Sequence, residues 1–210
     1  MITNKFFIVT RKIPTYIKYL IAKKSQGSKL PEGYLQLNYI EGTGPQWIDT
    51  GISGECDIDI TCQGTLDNNK SQIVVGSYTI PGTYFGKVTT LKRYGMGAVA
   101  MTDVLYLNKE RFLLSFRQNE SVINVKGKTY RIQMDSMNNY TYALCRAKER
   151  SGNAYYAASV RIFACRIRQN NRLVRDYIPA KKISTGEIGL YDTVAQTLYV
   201  SLGTDPFIEG

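Results

Sequence analysis

Histidine is missing from this chain of 210 residues. Without imidazole there is no Ser-His-Asp triad, no Cys-His nucleophile pair, no imidazole general base and no His-ligated zinc. Tryptophan occurs once, as Trp47, and the four cysteines have no Cys-x-x-Cys spacing, so neither a zinc site nor a thiol redox motif is predicted. Chemistry that needs these groups is excluded, and no metal or other cofactor is expected.

Long apolar runs are also missing. No run reaches the roughly 18 apolar residues of a transmembrane helix. The early run at residues 6–10 is too short for the apolar region of a secretory signal, and cations interrupt the residues after it. We therefore expect no membrane span and no secretory signal.

The four cysteines are Cys56, Cys62, Cys145 and Cys165. Cys56 and Cys62 lie an even number of residues apart around one predicted strand, which places them on the same face about 20 Å apart at ~3.3 Å per residue. That distance is too long for a disulfide. We expect all four to be small buried hydrophobic residues, in keeping with a reducing or neutral compartment.

Anionic residues are absent from the first 30 positions. The whole chain has 27 Lys and Arg against 17 Asp and Glu, a net charge of +10. Residues 1–30 hold seven of those cations, so the remaining 180 residues carry 20 cations, 17 anions and a net charge of only +3. The distribution predicts a basic arm and linker over residues 1–30 and a nearly neutral domain over residues 31–210.

The arm has features of an attachment segment. Pro14 suits the first turn of a helix, and apolar residues then recur at helical spacing, so we expect an extended arm or a short amphipathic helix near residues 15–24. An acidic protein surface, the surface of the body itself, a phosphate backbone, an anionic membrane or plain solvent would each suit such a segment. We favour a protein partner, contacted by the apolar and cationic residues Arg11, Lys12, Ile17, Lys18, Leu20, Ile21, Lys23 and Lys24.

The remaining 180 residues have the pattern of β structure. Glycine, proline and asparagine turns recur at short intervals, and segments between them alternate apolar and polar residues, as at residues 58–62 and 121–125. Residues 155–167 place Ala158, Val160, Ile162 and Ala164 at a period of two. Many short strands with frequent turns predict an all-β antiparallel sandwich or barrel.

Two passages carry a more specific signal. They are LPEGYLQLNYIEGTGPQWIDTG at residues 30–51, and the closing series FACRI, LVRDYIPA and GEIGLYD at residues 163–167, 173–180 and 186–192. Together they resemble laminin-G-like, concanavalin-A-like β-sandwich modules of bacteriophage and prophage structural proteins, particularly from gut bacteria. The resemblance covers both ends of the body, and the middle matches in pattern only.

The resemblance implies a two-sheet antiparallel sandwich of the concanavalin A or jelly-roll type, whose first and last segments are neighbours in one sheet. It also implies a non-enzymatic component of a tailed phage virion: a capsid decoration, head-fibre or tail-associated protein. Such a protein is made in the host cytoplasm and located in the virion. Its partners would be capsid, collar or tail proteins, within a homo- or hetero-oligomeric assembly.

Several local features are also expected. Gly42, Gly44 and Gly51 suit turns that need a positive φ. The Asp49 side chain is expected to cap the backbone of the Asp49-Thr50-Gly51 turn. Adjacent Arg175 and Asp176 are candidates for an ion pair or for independent solvent-exposed charges.

Concanavalin-A-like folds include glycosidases, so the carboxylates bear on catalysis. Glu55, Asp57 and Asp59 lie on one face of a predicted strand, at a spacing compatible with a pair of catalytic carboxylates. The segment lacks the terminal glutamate of the laminarinase-type pattern and has no tryptophan platform nearby. We therefore expect an amphipathic strand with Cys56 and Ile58 directed inward together with Ile60, no calcium loop and no enzymatic activity.

The alternative function is carbohydrate binding, as a lectin-like receptor-recognition module of a phage fibre or a bacterial surface adhesin. Tyr78, Tyr84 and Tyr94 lie in a glycine-rich stretch and are the candidate contacts for a host surface glycan. Tyr140 and Tyr142 follow two asparagines and form a second such cluster. Nucleic acid is not expected as the main partner, because the body carries little net charge and no known binding module.

Overall fold

The computed structural model describes residues 30–65, 72–78, 83–88, 93–96, 99–101, 108–117, 120–133, 140–149 and 154–210. Within these ranges the protein consists of strands, turns and bends, with no helix. The strands form two sheets, so the expected all-β two-sheet architecture is confirmed. The boundary between an arm and a body near residue 30 stays a prediction, since residues 1–29 lie outside the described ranges.

The larger sheet, sheet A, contains eleven of the described strands. In chain order these are β1 (Tyr34–Gln36), β2 (Ile40–Gly42), β4 (Asp57–Thr65), β9 (Asn108–Phe116), β10 (Glu120–Val125), β11 (Lys128–Gln133), β15 (Val160–Gln169), β16 (Arg172–Lys182), β17 (Ile188–Asp192), β18 (Thr197–Val200) and β19 (Ile208–Glu209). Sheet B contains eight: β3 (Ile48–Ser53), β5 (Gln72–Tyr78), β6 (Thr83–Val88), β7 (Arg93–Met96), β8 (Val99–Met101), β12 (Thr141–Leu144), β13 (Ala147–Glu149) and β14 (Ala154–Tyr155).

Antiparallel pairing dominates both sheets. Sheet A runs in the order β11-β10-β9-β4-β15-β16-β17-β18, with β2 beside the start of β15 and β1 beside the end of β16. In sheet B, β12 joins β3 to β5, and β6, β7 and β8 follow on the other side of β5. One pair of named strands, β13 with β5, is parallel.

The two ends of the described body lie side by side in sheet A. The last strand, β19, pairs with β2, and the backbone nitrogen of Asn38 donates to the carbonyl oxygen of Gly210 at 2.9 Å. β1 pairs with β16, which belongs to the closing passage of the sequence. The expectation that both ends are neighbours in one sheet is therefore confirmed, although the last strand pairs with the second strand and not the first.

The hydrophobic core lies between the two sheets and draws on both. Along β4 and the residue before it, alternate positions are buried, and Cys56, Ile58, Ile60 and Cys62 are each at most 5% exposed. Their period of two is that of a strand with one face against the core. The inward placement expected for this strand is confirmed. Sheet B contributes, among others, Ile48, Ile52, Val74, Val75, Tyr142 and Leu144 to the same cluster.

The alternation expected for β15 is correct only as far as Ile162. Ala158, Val160 and Ile162 are buried, but Ala164 is exposed and Cys165 is buried in its place. The pairing with β4 shifts between Ile162 and Ala164, which marks a β-bulge. A bulge adds one residue to a strand, so every later side chain moves to the opposite face. The period of two expected through Ala164 therefore ends at Ile162.

Glycine conformations agree with two of the three expectations. Gly44 and Gly51 have positive φ, at 141° and 67°, whereas Gly42 is an extended residue of β2 and was wrongly expected to have a positive φ. The backbone nitrogen of Gly51 donates to Asp49 Oδ1 at 3.0 Å, as predicted. These residues form an irregularity within β3 and not a connecting turn, since the register with β12 shifts there.

Candidate functional site

The predicted attachment residues precede the described part of the chain. Arg11, Lys12, Ile17, Lys18, Leu20, Ile21, Lys23 and Lys24 all lie outside the described ranges. Their contact with a partner therefore stays a prediction based on charge and apolar spacing.

The three candidate glycan-contact tyrosines belong to three neighbouring strands of sheet B. Tyr78 ends β5, Tyr84 pairs with Gly76, and Tyr94 pairs with Lys87 of β6. Tyr84 lies three residues from Lys87 along β6, so its register position falls on the opposite face of the sheet from that of Tyr94. Tyr84 and Tyr94 therefore occupy register positions on opposite faces of the sheet, and glycan contact by each stays a prediction.

Tyr142, from the second tyrosine cluster, is fully buried in the core, so its assignment as a candidate contact is wrong.

The acidic strand that suggested a glycosidase is bound by arginines. Asp59 Oδ1 accepts hydrogen bonds from Arg117 Nη2 at 2.7 Å and from Ser115 Oγ at 2.8 Å, and Asp59 Oδ2 accepts one from Arg168 Nη1 at 3.0 Å. Arg117 Nε also lies 3.5 Å from Asp57 Oδ1. Ser115 and Arg168 come from β9 and β15, which flank β4, so the acids are held by cross-strand contacts.

These contacts set the ionisation of Asp59. Burial acts to raise its pKa, but the hydrogen bonds from Arg117 and Ser115, with the charges of Arg117 and Arg168, outweigh burial and lower the pKa. A glycosidase general acid needs a raised pKa, so that it still holds its proton near neutral pH. The pKa of Asp59 is lowered instead, which fits a carboxylate in a structural ion pair.

All four cysteines are buried and free, as expected. Burial raises the pKa of the Cys56 and Cys145 thiols to about 12, and it also raises the pKa of Cys62 and Cys165. The thiolate is the reactive form of cysteine. The four thiols therefore act as packing groups and not as nucleophiles.

We predict that the native protein does not react with a thiol-specific reagent near pH 8. A thiol with a pKa of about 12 has roughly one part in 10,000 as thiolate at that pH, and burial also blocks access. Titration with Ellman's reagent should detect no fast thiol in the native state and all four after denaturation in guanidinium chloride. Rapid reaction of any native thiol would contradict the burial assigned here.

Arg175 and Asp176 do not pair with each other. Neighbouring residues of a strand point to opposite faces, so each finds a partner on a different side of β16. Asp176 Oδ1 accepts a hydrogen bond from Arg166 Nε at 3.0 Å on the outer face. Arg175 Nε lies 3.4 Å from Oδ2 of the fully buried Asp192 and 3.2 Å from the Thr50 carbonyl oxygen. The candidate Arg175–Asp176 pair is therefore wrong.

A cleft opens on the outer face of sheet A, where β2, β4, β9 and β15 lie side by side. Its volume is about 390 Å³, and it is lined by Glu41, Gln63, Gly64, Lys109, Ser159, Val160 and Arg161. Glu41 and Gln63 lie directly opposite Arg161 on its two neighbouring strands. Glu41, Arg161 and Gln63 thus form one row across three strands at the cleft.

Polar contacts hold the walls of the cleft. Arg161 Nε donates to Glu41 Oε2 at 2.9 Å, and Gln63 Nε2 donates to the backbone oxygen of Lys109 at 2.8 Å. The Arg161 guanidinium also lies 4.7 Å from the centre of the Tyr39 ring, and the Tyr39 and Phe163 rings are 5.5 Å apart. Each polar wall is therefore fixed by a cross-strand contact.

Sequence reasoning did not identify this cleft. Glu41 and Arg161 are 120 residues apart, and their meeting depends on a register that no local pattern encodes. One available signal was Gly64, because a glycine inside a strand indicates a close backbone approach. A Cβ at Gly64 would lie 2.7 Å from Val160 Cγ1 and 2.9 Å from the Ser159 carbonyl oxygen, so glycine lets β15 approach β4 beneath the cleft.

The described residues contain neither a metal-binding cluster of three or more Cys, Asp or Glu residues nor a helix long and apolar enough to cross a membrane.

Comparison with known proteins gives no match among family models, curated proteins or solved structures.

Proposed function

We propose that this protein is a non-enzymatic structural component of a tailed bacteriophage virion. The basic segment at residues 1–30 attaches it to a capsid, collar or tail protein, and the β-sandwich is displayed from that attachment. The virion setting rests on the resemblance of the opening and closing passages to phage structural modules. The cytoplasm of the host bacterium is the proposed place of synthesis.

The observation that carries this proposal is the closure of the sandwich between Tyr34 and Glu209. β2 pairs with β19 at the join of the two ends, and the described core extends from Ile40 to Phe207. The basic segment precedes this closed body and holds seven of the ten net positive charges. A segment rich in cations and apolar residues suits attachment to another protein.

A scaffold role also fits the outer face of sheet A. Glu41, Asp59 and Asp176 each bind an arginine of a neighbouring strand or connection, and the four thiols are buried. Cross-strand ion pairs of this kind fix the register of a sheet. These three acids therefore have a structural role that requires no catalytic function.

The attachment can be tested with the full-length chain. We predict that reversing three arm cations loses at least about 90% of the incorporation of the tagged protein into tailed particles, since reversed charges repel an acidic partner. The variant carries Lys18→Glu, Lys23→Glu and Lys24→Glu. Incorporation is measured by quantitative mass spectrometry of particles purified from a strain that carries the gene.

The matched control reverses three cations of the body, Lys128→Glu, Arg172→Glu and Lys182→Glu, and should be incorporated like the unchanged protein. Circular dichroism of each purified variant verifies that the sandwich is intact. Equal incorporation of the arm variant and the control would disprove attachment through the arm. Absence of the unchanged protein from the particles would disprove the virion role itself.

A further inference from the structure

We propose that the cleft on the outer face of sheet A binds an acidic saccharide, through a carboxylate-bearing sugar residue of the uronic acid type. This inference concerns residues distinct from the candidate tyrosines of sheet B, and it does not depend on the virion role. Its basis is the size, charge and donor set of the cleft.

The size of the cleft suits one or two sugar rings. Small-molecule sites have volumes of roughly 300–1,000 Å³, and this cleft of about 390 Å³ lies at the lower end of that range. A Cβ at Gly64 would contact Val160 and the Ser159 carbonyl oxygen, so glycine allows β15 to approach β4 closely beside the cleft.

The charge of the cleft favours an anion. Lys109 and Arg161 line it against the single carboxylate of Glu41, and Arg161 is already paired with that carboxylate. Arg111 lies opposite Gln63 on β9, with its guanidinium 4.0 Å from the centre of the Phe163 ring. Among the residues that the structure describes, neither Lys109 nor Arg111 has an anionic partner. Lys109 is thus a cation of the cleft lining that is available to an anion, and Arg111 adds positive charge beside Gln63.

The neutral and acidic groups favour hydroxyls over a simple anion. Glu41 offers acceptor oxygens, Gln63 an amide and Ser159 a hydroxyl that forms no hydrogen bond within the described part of the chain. Inorganic phosphate would meet the Glu41 carboxylate without using these groups. A sugar that carries both hydroxyls and a carboxylate uses acceptors and donors together with the cations.

The backbone conformation of Lys109 is a further feature of the cleft. Its φ is 59°, and it lies at a shift in the β4–β9 register between Gly64 and Thr65. Few residues with a side chain adopt such a φ, and when they do the surrounding structure holds them there. The hydrogen bond from Gln63 to the Lys109 oxygen is one such constraint. The bulge places a lysine at the edge of the cleft.

The test is a titration of the full-length protein with trigalacturonate, followed by amide NMR shifts. The amides of Gly64, Lys109 and Ser159 should shift, with a dissociation constant below about 10 mM at physiological salt. The trimethyl ester keeps the hydroxyls but lacks the charge, so it should bind at least about tenfold more weakly. Lys109→Asn, which tolerates a positive φ, should weaken trigalacturonate binding at least about threefold.

Lys128→Asn is the matched control, because it removes one exposed cation from β11 of the same sheet and should leave binding unchanged. Equal binding of the ester, equal weakening by the control, or no shift of the cleft amides would each overturn the proposal. Competition by inorganic phosphate at equal concentration would also overturn it, since the cleft would then be a general anion site.

Discussion

Replacing Arg175 with methionine is expected to lower the free energy of unfolding by about 3 kcal/mol, because the change leaves a carboxylate buried without its cation. Asp192 is fully buried, and its Oδ2 lies 3.4 Å from Arg175 Nε. Its Oδ1 still accepts hydrogen bonds from the backbone nitrogens of Asp176 and Val194, both at 3.0 Å. These hydrogen bonds offset part of the charge, so we expect a loss of stability near the lower end of the range for broken buried ion pairs. The loss can be measured by urea unfolding.

The matched control is Arg166→Met on the adjacent strand, which breaks a pair with Asp176 whose arginine side chain is 49% exposed. Exposed pairs contribute under about 1 kcal/mol, so this variant should unfold close to the unchanged protein. Adding Asp192→Asn to Arg175→Met should cost less than the sum of the single changes, since the buried charge is removed. Equal destabilisation by Arg175→Met and Arg166→Met would contradict the importance of the buried pair.

Replacing Gly189 with alanine is expected to cost about 3 kcal/mol by forcing β17 away from β18. Gly189 pairs directly with Val200, and a Cβ at this position would overlap the Tyr199 carbonyl oxygen and lie 3.2 Å from Val200 Cα. These are backbone atoms of a paired strand, so they cannot move without breaking the ladder. Thermal and urea unfolding should both show the loss.

Gly42→Ala is the control for this prediction. Gly42 also lies within a strand of sheet A, but a Cβ there meets only side-chain atoms at ordinary contact distances, the nearest being Phe207 Cε1 at 3.5 Å. We expect a change within about 1 kcal/mol. A Gly189→Ala variant as stable as Gly42→Ala would show that the β17–β18 contact is looser than described.

Local patterns predicted much of the fold, and they failed where the chain departs from regular strand geometry. The alternation of Cys56, Ile58, Ile60 and Cys62 was visible because a half-buried strand repeats every second residue. At Ala164 the same rule failed, since the bulge after Ile162 reverses the faces. A bulge depends on the fit between neighbouring strands, which a single segment does not encode.

The site was harder to predict than the fold because its residues come from distant parts of the chain. Adjacency in sequence suggested a pair between Arg175 and Asp176, while the structure joins Arg175 to Asp192 on the next strand. Glu41 and Arg161 likewise meet through the pairing of β2 with β15. In each case the partner is set by strand order and register. The Asp49 cap of Gly51 was predictable because the two residues are two positions apart.

The most direct test of the attachment claim is what the basic segment touches in an assembled particle. Lysine-specific cross-linking and mass spectrometry of purified particles should link Lys18, Lys23 or Lys24 to a second virion protein, while body lysines such as Lys128 give few such links. Cross-links from the arm lysines to the sandwich alone, in particles that contain the protein, would contradict attachment through residues 1–30.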